Sequence, residues 1–227
     1  MNKLKPLLYF VFLFAVATLS KFTFAQKNIN DVSLVYSLSY LKNDVGGRNL
    51  ENNSVGEIKL SIKAKQSKCE TIYKSGKETT YFNQESNKGV VLKEFMGQEL
   101  LVLLTAENWM EKNAAFQNAQ FTITDFKQNI NGVPCKQAIA EISGGRIVVY
   151  LNPQIIITNT KYDLAFPGVQ GLPVKIEWYG AANGKASMAF ELKQIDYENI
   201  PQSKFEFPSA EKYRTLSFEE AKKSGKL

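Results

Sequence analysis

The chain has 227 residues, of which 28 are Lys or Arg, 22 are Asp or Glu and none is His, giving a net charge of +6. Without histidine there is no Ser-His-Asp or Cys-His nucleophile and no zinc site that needs an imidazole. The two cysteines are too few for an all-thiolate zinc site, which takes four, so no metal or other cofactor is expected and acid–base work would fall to carboxylates, Tyr or Lys.

In chain order, Lys3 and Lys5 precede an apolar run from Pro6 to Ser20, Lys21 breaks it, and Thr23-Phe24-Ala25 sets small residues where a signal peptidase reads. Residues 1–25 read as a signal peptide cut between Ala25 and Gln26, leaving residues 26–227 as a single β-rich domain. A spanning helix needs about 20 apolar residues, so no stable membrane anchor is expected after cleavage. No cysteine follows the cut to take a lipid. The expected location is outside the cytoplasm, either periplasmic or secreted. Cleavage removes three lysines and no acid, which lowers the net charge from +6 to +3. The remaining basic residues form no stripe of the kind nucleic-acid binders use, so no nucleic acid is expected as a partner.

Alternation with a period of two marks the strands. In VSLVYSLSY, Leu34, Tyr36, Leu38 and Tyr40 share one face and Ser33, Ser37 and Ser39 the other. In EIKLSIKAK, Ile58, Leu60, Ile62 and Ala64 share a face. A hairpin is expected at Met96-Gly97-Gln98, and one or two helical turns within Thr105–Ala115. Asn131-Gly132, Gly144-Gly145 and Asn183-Gly184 suit two-residue turns, whose central positions need positive φ. Met188, Phe190 and Leu192 share a face of a late strand. Ser217 with Glu220 forms a capping box for a helix that stops at Gly225. The fold class is therefore mainly β: a curved antiparallel meander of roughly nine to eleven strands, forming a half-open or incomplete β-barrel with a short C-terminal helix.

Three groups of residues bear on function. Cys69 and Cys135, in an oxidising compartment, are open to two readings, a disulfide or two buried free thiols. The segment FPGVQGLP interrupts the strands. Gly168, Gly171, Leu172 and Pro173 could let a ligand approach the backbone closely, but turn chemistry ahead of a strand starting at Val174 accounts for them more simply, with Pro167 and Pro173 blocking strand pairing. Glu177, Glu191 and Asp196 lie on polar strand faces or near strand ends, with no legible catalytic pairing.

The segment INGVPCKQAIAE with the following RIVVYLNPQIII resembles the GLPGLI family of exported Bacteroidota proteins. Ile130, Gly132, Cys135, Lys136 and Ala138 fit its cysteine-lysine pattern, and Tyr150 and Ile155 its hairpin strand. Phe166, Gly168, Gly171 and Leu172 fit the segment that names it. Val133, Val169, Gln170 and Pro173 depart from it, which makes the chain similar to a divergent member or a sister family. The matching region covers roughly residues 115–200. More distantly, the pattern is similar to the periplasmic lipoprotein-carrier fold, a half-open barrel with an apolar concave face. The resemblance implies a compartment and a fold and transfers no catalytic residue.

These readings favour a non-enzymatic binding protein that holds a hydrophobic, lipid-like small molecule on the concave face of its sheet. The alternative is an envelope protein-interaction module with a sealed core and a protein partner. A carboxylate hydrolase would require acids converging in one cleft.

Overall fold

The computed structural model describes residues 26–40, 54–142, 145–180 and 188–227. The expected leader 1–25 and the turn residues Gly144, Asn183 and Gly184 lie outside them.

Fourteen strands are present among the described residues. They are β1 (Lys27–Ile29), β2 (Asp31–Tyr40), β3 (Ser54–Lys63), β4 (Gln66–Tyr73), β5 (Gly76–Asn83), β6 (Lys88–Phe95), β7 (Gln98–Leu104), β8 (Thr122–Ile130), β9 (Val133–Ile142), β10 (Gly145–Asn152), β11 (Ile155–Ile157), β12 (Leu172–Gly180), β13 (Met188–Asp196) and β14 (Arg214–Leu216). Eleven have seven or more residues, as the alternation requires; β1, β11 and β14 have three each and carry no legible pattern.

Twelve strands form one curved, unclosed sheet in the order β14-β7-β6-β5-β4-β3-β2-β13-β12-β10-β9-β8, and β1 pairs with β11 apart from it. The expected meander is antiparallel, with two exceptions: β14 runs parallel to β7, and β1 parallel to β11. Met96 and Gly97 turn β6 into β7 at φ 50° and 78°, and Asn131 and Gly132 turn β8 into β9 at 50° and 80°. Ala64 does not continue the face of Ile62. It takes φ 47° in the turn between β3 and β4, where its N–H donates to Asp31 Oδ1 (3.1 Å).

Two cross-strand rows define the inner face. Leu34, Leu60, Cys69, Thr80, Val91 and Val102 stand in register across β2 to β7, and all are buried. Leu38, Phe190, Ile176, Val149 and Ala138 continue the face across β13, β12, β10 and β9, since Leu34 and Leu38 share a side of β2. The chain itself covers this face. Helix α1 (Ala106–Lys112), capped by Thr105, stacks Trp109 on Phe82 with ring centroids 5.0 Å apart. Helix α2 (Ala114–Gln117) sets Phe116 edge-on to Phe166. Helix α3 (Phe218–Lys223), with its Ser217–Glu220 capping box, buries Phe218 and Ala221 beside Val102. The opposite face of β5 to β7 buries Tyr81, Val90, Leu92 and Leu101 against Tyr213 of the C-terminal segment. At its far edge β8 loses register between Ile123 and Lys127.

Candidate functional site

The stretch from Ile157 to Leu172 decides what the inner face offers. Its start is pinned to the β3–β4 turn: Asn159 Nδ2 donates to Ala64 O (3.0 Å), Asn159 Oδ1 accepts from Lys161 N (2.9 Å), and Ser67 Oγ donates to Lys161 O (3.3 Å). Tyr162, Ala165 and Phe166 then point into the core, each less than a tenth exposed. Leu164 takes φ 71°, a conformation that branched side chains rarely adopt and that tends to gather at functional sites. The segment ends where Tyr36 Oη donates to Pro173 O (2.9 Å), which binds β2 to the start of β12.

The expected open apolar groove is therefore largely occupied by the protein's own connection. Among the described residues, a cavity of about 370 Å³ is left between residues 156–171 and the end of β10. Its floor is buried Leu151, Ile157, Tyr162, Ala165 and Phe166, and its mouth is exposed Thr160, Pro167, Gly168 and Gln170. Of the loop residues singled out from sequence, Gly168, Gly171 and Pro173 line this cavity. Leu172 is 1% exposed and packs in the neighbouring core. Pro173 does not block pairing: β12 begins at Leu172, and Pro173 sits opposite Leu151 at a register shift that accommodates a residue with no N–H. The sequence reading missed Leu151, Ile156, Asn159 and Tyr162. The Ile155–Ile157 run was the available signal, but β11 was too short to stand out.

Beside the cavity stands a charged cluster. Lys112 Nζ lies 3.1 Å from Asp163 Oδ1 and 4.0 Å from Glu78 Oε1, and Lys93 pairs with Glu78 at 2.9 Å. Burial works against the Lys112 ammonium, but Asp163 and Glu78 more than offset it and hold its pKa above the ordinary lysine value. The nearby Cys69 thiol is pushed well up by burial and then by Asp163, so it is no thiolate nucleophile at neutral pH.

The expected alternative of a Cys69–Cys135 disulfide is not formed: both are free, buried thiols. Their strands, β4 and β9, are separated in the sheet by five others, and the Cys135 thiol donates to Val133 O (3.3 Å). The three carboxylates are each held by their own partners, although Glu177 and Glu191 lie on neighbouring strands, with Lys175 standing opposite Glu191. Glu177 contacts Lys175 (2.6 Å) and the Tyr179 hydroxyl (2.9 Å), Glu191 contacts Lys193 (2.7 Å) and Asn131 (3.0 Å), and Asp196 accepts from Glu198 N (2.8 Å). Each is satisfied locally, and none lines the cavity. A larger depression, about 550 Å³, lies where the C-terminal segment crosses β4 and β5, but it sets Lys88, Glu206 and Gln202 among its aromatics.

No protein-family model matches the chain, so the GLPGLI resemblance rests on the residues quoted for it. No curated protein matches it either. Among solved structures, the chain is similar to part of PNGF-II, with 14% identity and a TM-score of 0.49 over 86% of this chain and 32% of that one. It thus spans about a third of the length of PNGF-II. It is also similar to an uncharacterized conserved protein from Thermus thermophilus, with 8% identity and a TM-score of 0.49 over 83% of this chain and 90% of that one. A LolA superfamily protein from Nitrosomonas europaea is similar at 6% identity and a TM-score of 0.38, over 80% of this chain and 92% of that one. No functional residue is carried over from these likenesses.

Proposed function

We propose that this chain is an exported, non-enzymatic binding protein, a divergent relative of the GLPGLI family, that holds one slender hydrophobic ligand beneath the 166–171 loop. The observation that carries this reading is a cavity of about 370 Å³ with a buried apolar floor and an exposed mouth. That size falls at the lower end of small-molecule sites and suits a single chain rather than a multi-chain lipid. Gly168 stands at the entry, with Gly171 and Pro173 lining the cavity behind it, and a leader at residues 1–25 is the export signal that this reading requires. Native mass spectrometry of protein purified from the cell envelope, beside a denatured control with extracted lipid, tests it. A co-purifying apolar mass that leaves on denaturation is the expected result. A clean apo mass, with no apolar probe shifting the melting temperature, would overturn it.

A second reading, an envelope interaction module, draws on Ile123 and Phe126, which stand 57% and 51% exposed on edge strand β8. It predicts that Ile123→Ser with Phe126→Ser abolishes capture of a protein partner while leaving any ligand mass in place.

A further inference from the structure

We infer that the cavity selects ligands whose polar end, lying at the Thr160 and Gln170 side with the chain on the apolar floor, is uncharged, such as an alcohol, ester or amide, and rejects the matching carboxylate or ammonium. This deepens the binding reading above and rests on it. In a chain with 22% charged residues, not one of the described residues lining this cavity carries a charge. Of the charged neighbours in sequence, Asp163 is committed to Lys112 at 3.1 Å and Lys175 to Glu177 at 2.6 Å, while Lys161, between Thr160 and Tyr162, has its backbone bonded to Asn159 and Ser67 and does not line the cavity.

The polar groups that do face the space are neutral. Thr160 and Gln170 stand at the mouth with a hydroxyl and an amide, each able to donate and accept. Asn159, 1% exposed, spends its amide on Ala64 O and Lys161 N and so fixes the wall. The Tyr162 hydroxyl is held in its neutral form by burial. A carboxylate or ammonium drawn into such a site loses its water and gains no counter-ion, whereas a hydroxyl or ester can exchange water for the hydrogen bonds on offer.

The test is calorimetric titration of the purified protein with four short probes of one chain length: 1-octanol, methyl octanoate, octanoate and octylammonium. At pH 8 the two neutral probes are expected to bind at least tenfold more tightly than the two ions. Octanoate should recover octanol-like affinity as the pH falls below its carboxyl pKa, with octanol at the same pH as control. Equal affinity for all four probes overturns the selectivity and leaves the binding reading standing. Failure of all four to bind overturns the binding reading and the selectivity with it. Gln170→Lys, at an exposed position on the mouth, is expected to raise octanoate affinity at least tenfold relative to octanol. An unchanged ratio in a folded variant would show that the charge of the lining does not set the choice.

Discussion

The ammonium of Lys112 lies 3.1 Å from the carboxylate of Asp163, and this pair joins the helix that caps β5 to β7 to the connection that fills the rest of the inner face. Both side chains are about 15% exposed, so neither ion has much water to fall back on. Asp163→Ala is expected to cost about 3 kcal/mol, because it leaves a nearly buried lysine with only Glu78 at 4.0 Å. Lys112→Met combined with Asp163→Leu, which removes both charges, should recover most of that loss. The exposed pair of Lys222 with Glu111 gives the contrast: Lys222→Ala should shift stability by no more than about 0.5 kcal/mol. Urea midpoints of the variants check all three.

The two loop glycines should separate on substitution. At Gly171 a Cβ would stand 2.8 Å from Asn152 O and 3.1 Å from Leu151 Cβ, at φ 135°. At Gly168 nothing among the described residues lies within 4 Å, and only φ 86° opposes the change. Gly168→Ala is therefore expected to cost about 1 kcal/mol and Gly171→Ala about 3 kcal/mol, at the upper end of such backbone strain. Thermal melts resolve the order. Equal losses would mean that the contact with β10 is looser than the distances indicate.

Acid should loosen the C-terminal segment first. The Lys77 hydrogen bond holds the Glu94 carboxyl below its usual range, against the opposing effect of its partial burial. Lys212 and Tyr213 of the C-terminal segment also reach Glu94, at 3.5 and 3.4 Å. Its native pKa lies below the unfolded value of about 4.3. The stabilisation is thus complete above that value and lost as the pH falls through the native one. Urea midpoints of the native protein and Glu94→Gln should differ at pH 6 and converge as the pH falls through the native pKa of Glu94. Parallel curves would remove Glu94 from the account.

Both thiols should count as free and slow. Cys69 and Cys135 are buried, and burial raises the pKa of each. Ellman's reagent is expected to find two thiols in urea and almost none within minutes in the native state. No thiols in urea would mean that the pair oxidises after all.

The alternating segments gave up their strands readily because one polar and one apolar face leave only a period of two to explain. Ser217 with Glu220, and the positive-φ pairs Met96-Gly97 and Asn131-Gly132, marked their elements by local chemistry alone. The short strands escaped because three residues cannot show a period; Arg214–Leu216 exists only because β7 offers it an edge. Ala64 was misplaced because its side chain suits a strand face, while its backbone answers to Asp31, 33 residues away. The candidate site was half legible: Gly168 and Gly171 announced an unusual backbone. The floor on which that loop rests comes from Leu151 and Ile157, whose burial depends on the sheet curving beneath them, and no local pattern encodes that curvature.

The two ends of the twelve-strand sheet bear on polymerisation. A fibre grows by strand addition only if every subunit presents a competent template at both ends. One end here is the three-residue β14. At the other, the ladder of β8 breaks between Ile123 and Lys127, and the Phe126 N–H turns back to Thr124 Oγ1 (3.3 Å). A barrel solves the edge problem by closing; this chain leaves the circle open and blunts each end instead, so its crowded, strand-rich fold resists stacking into filaments.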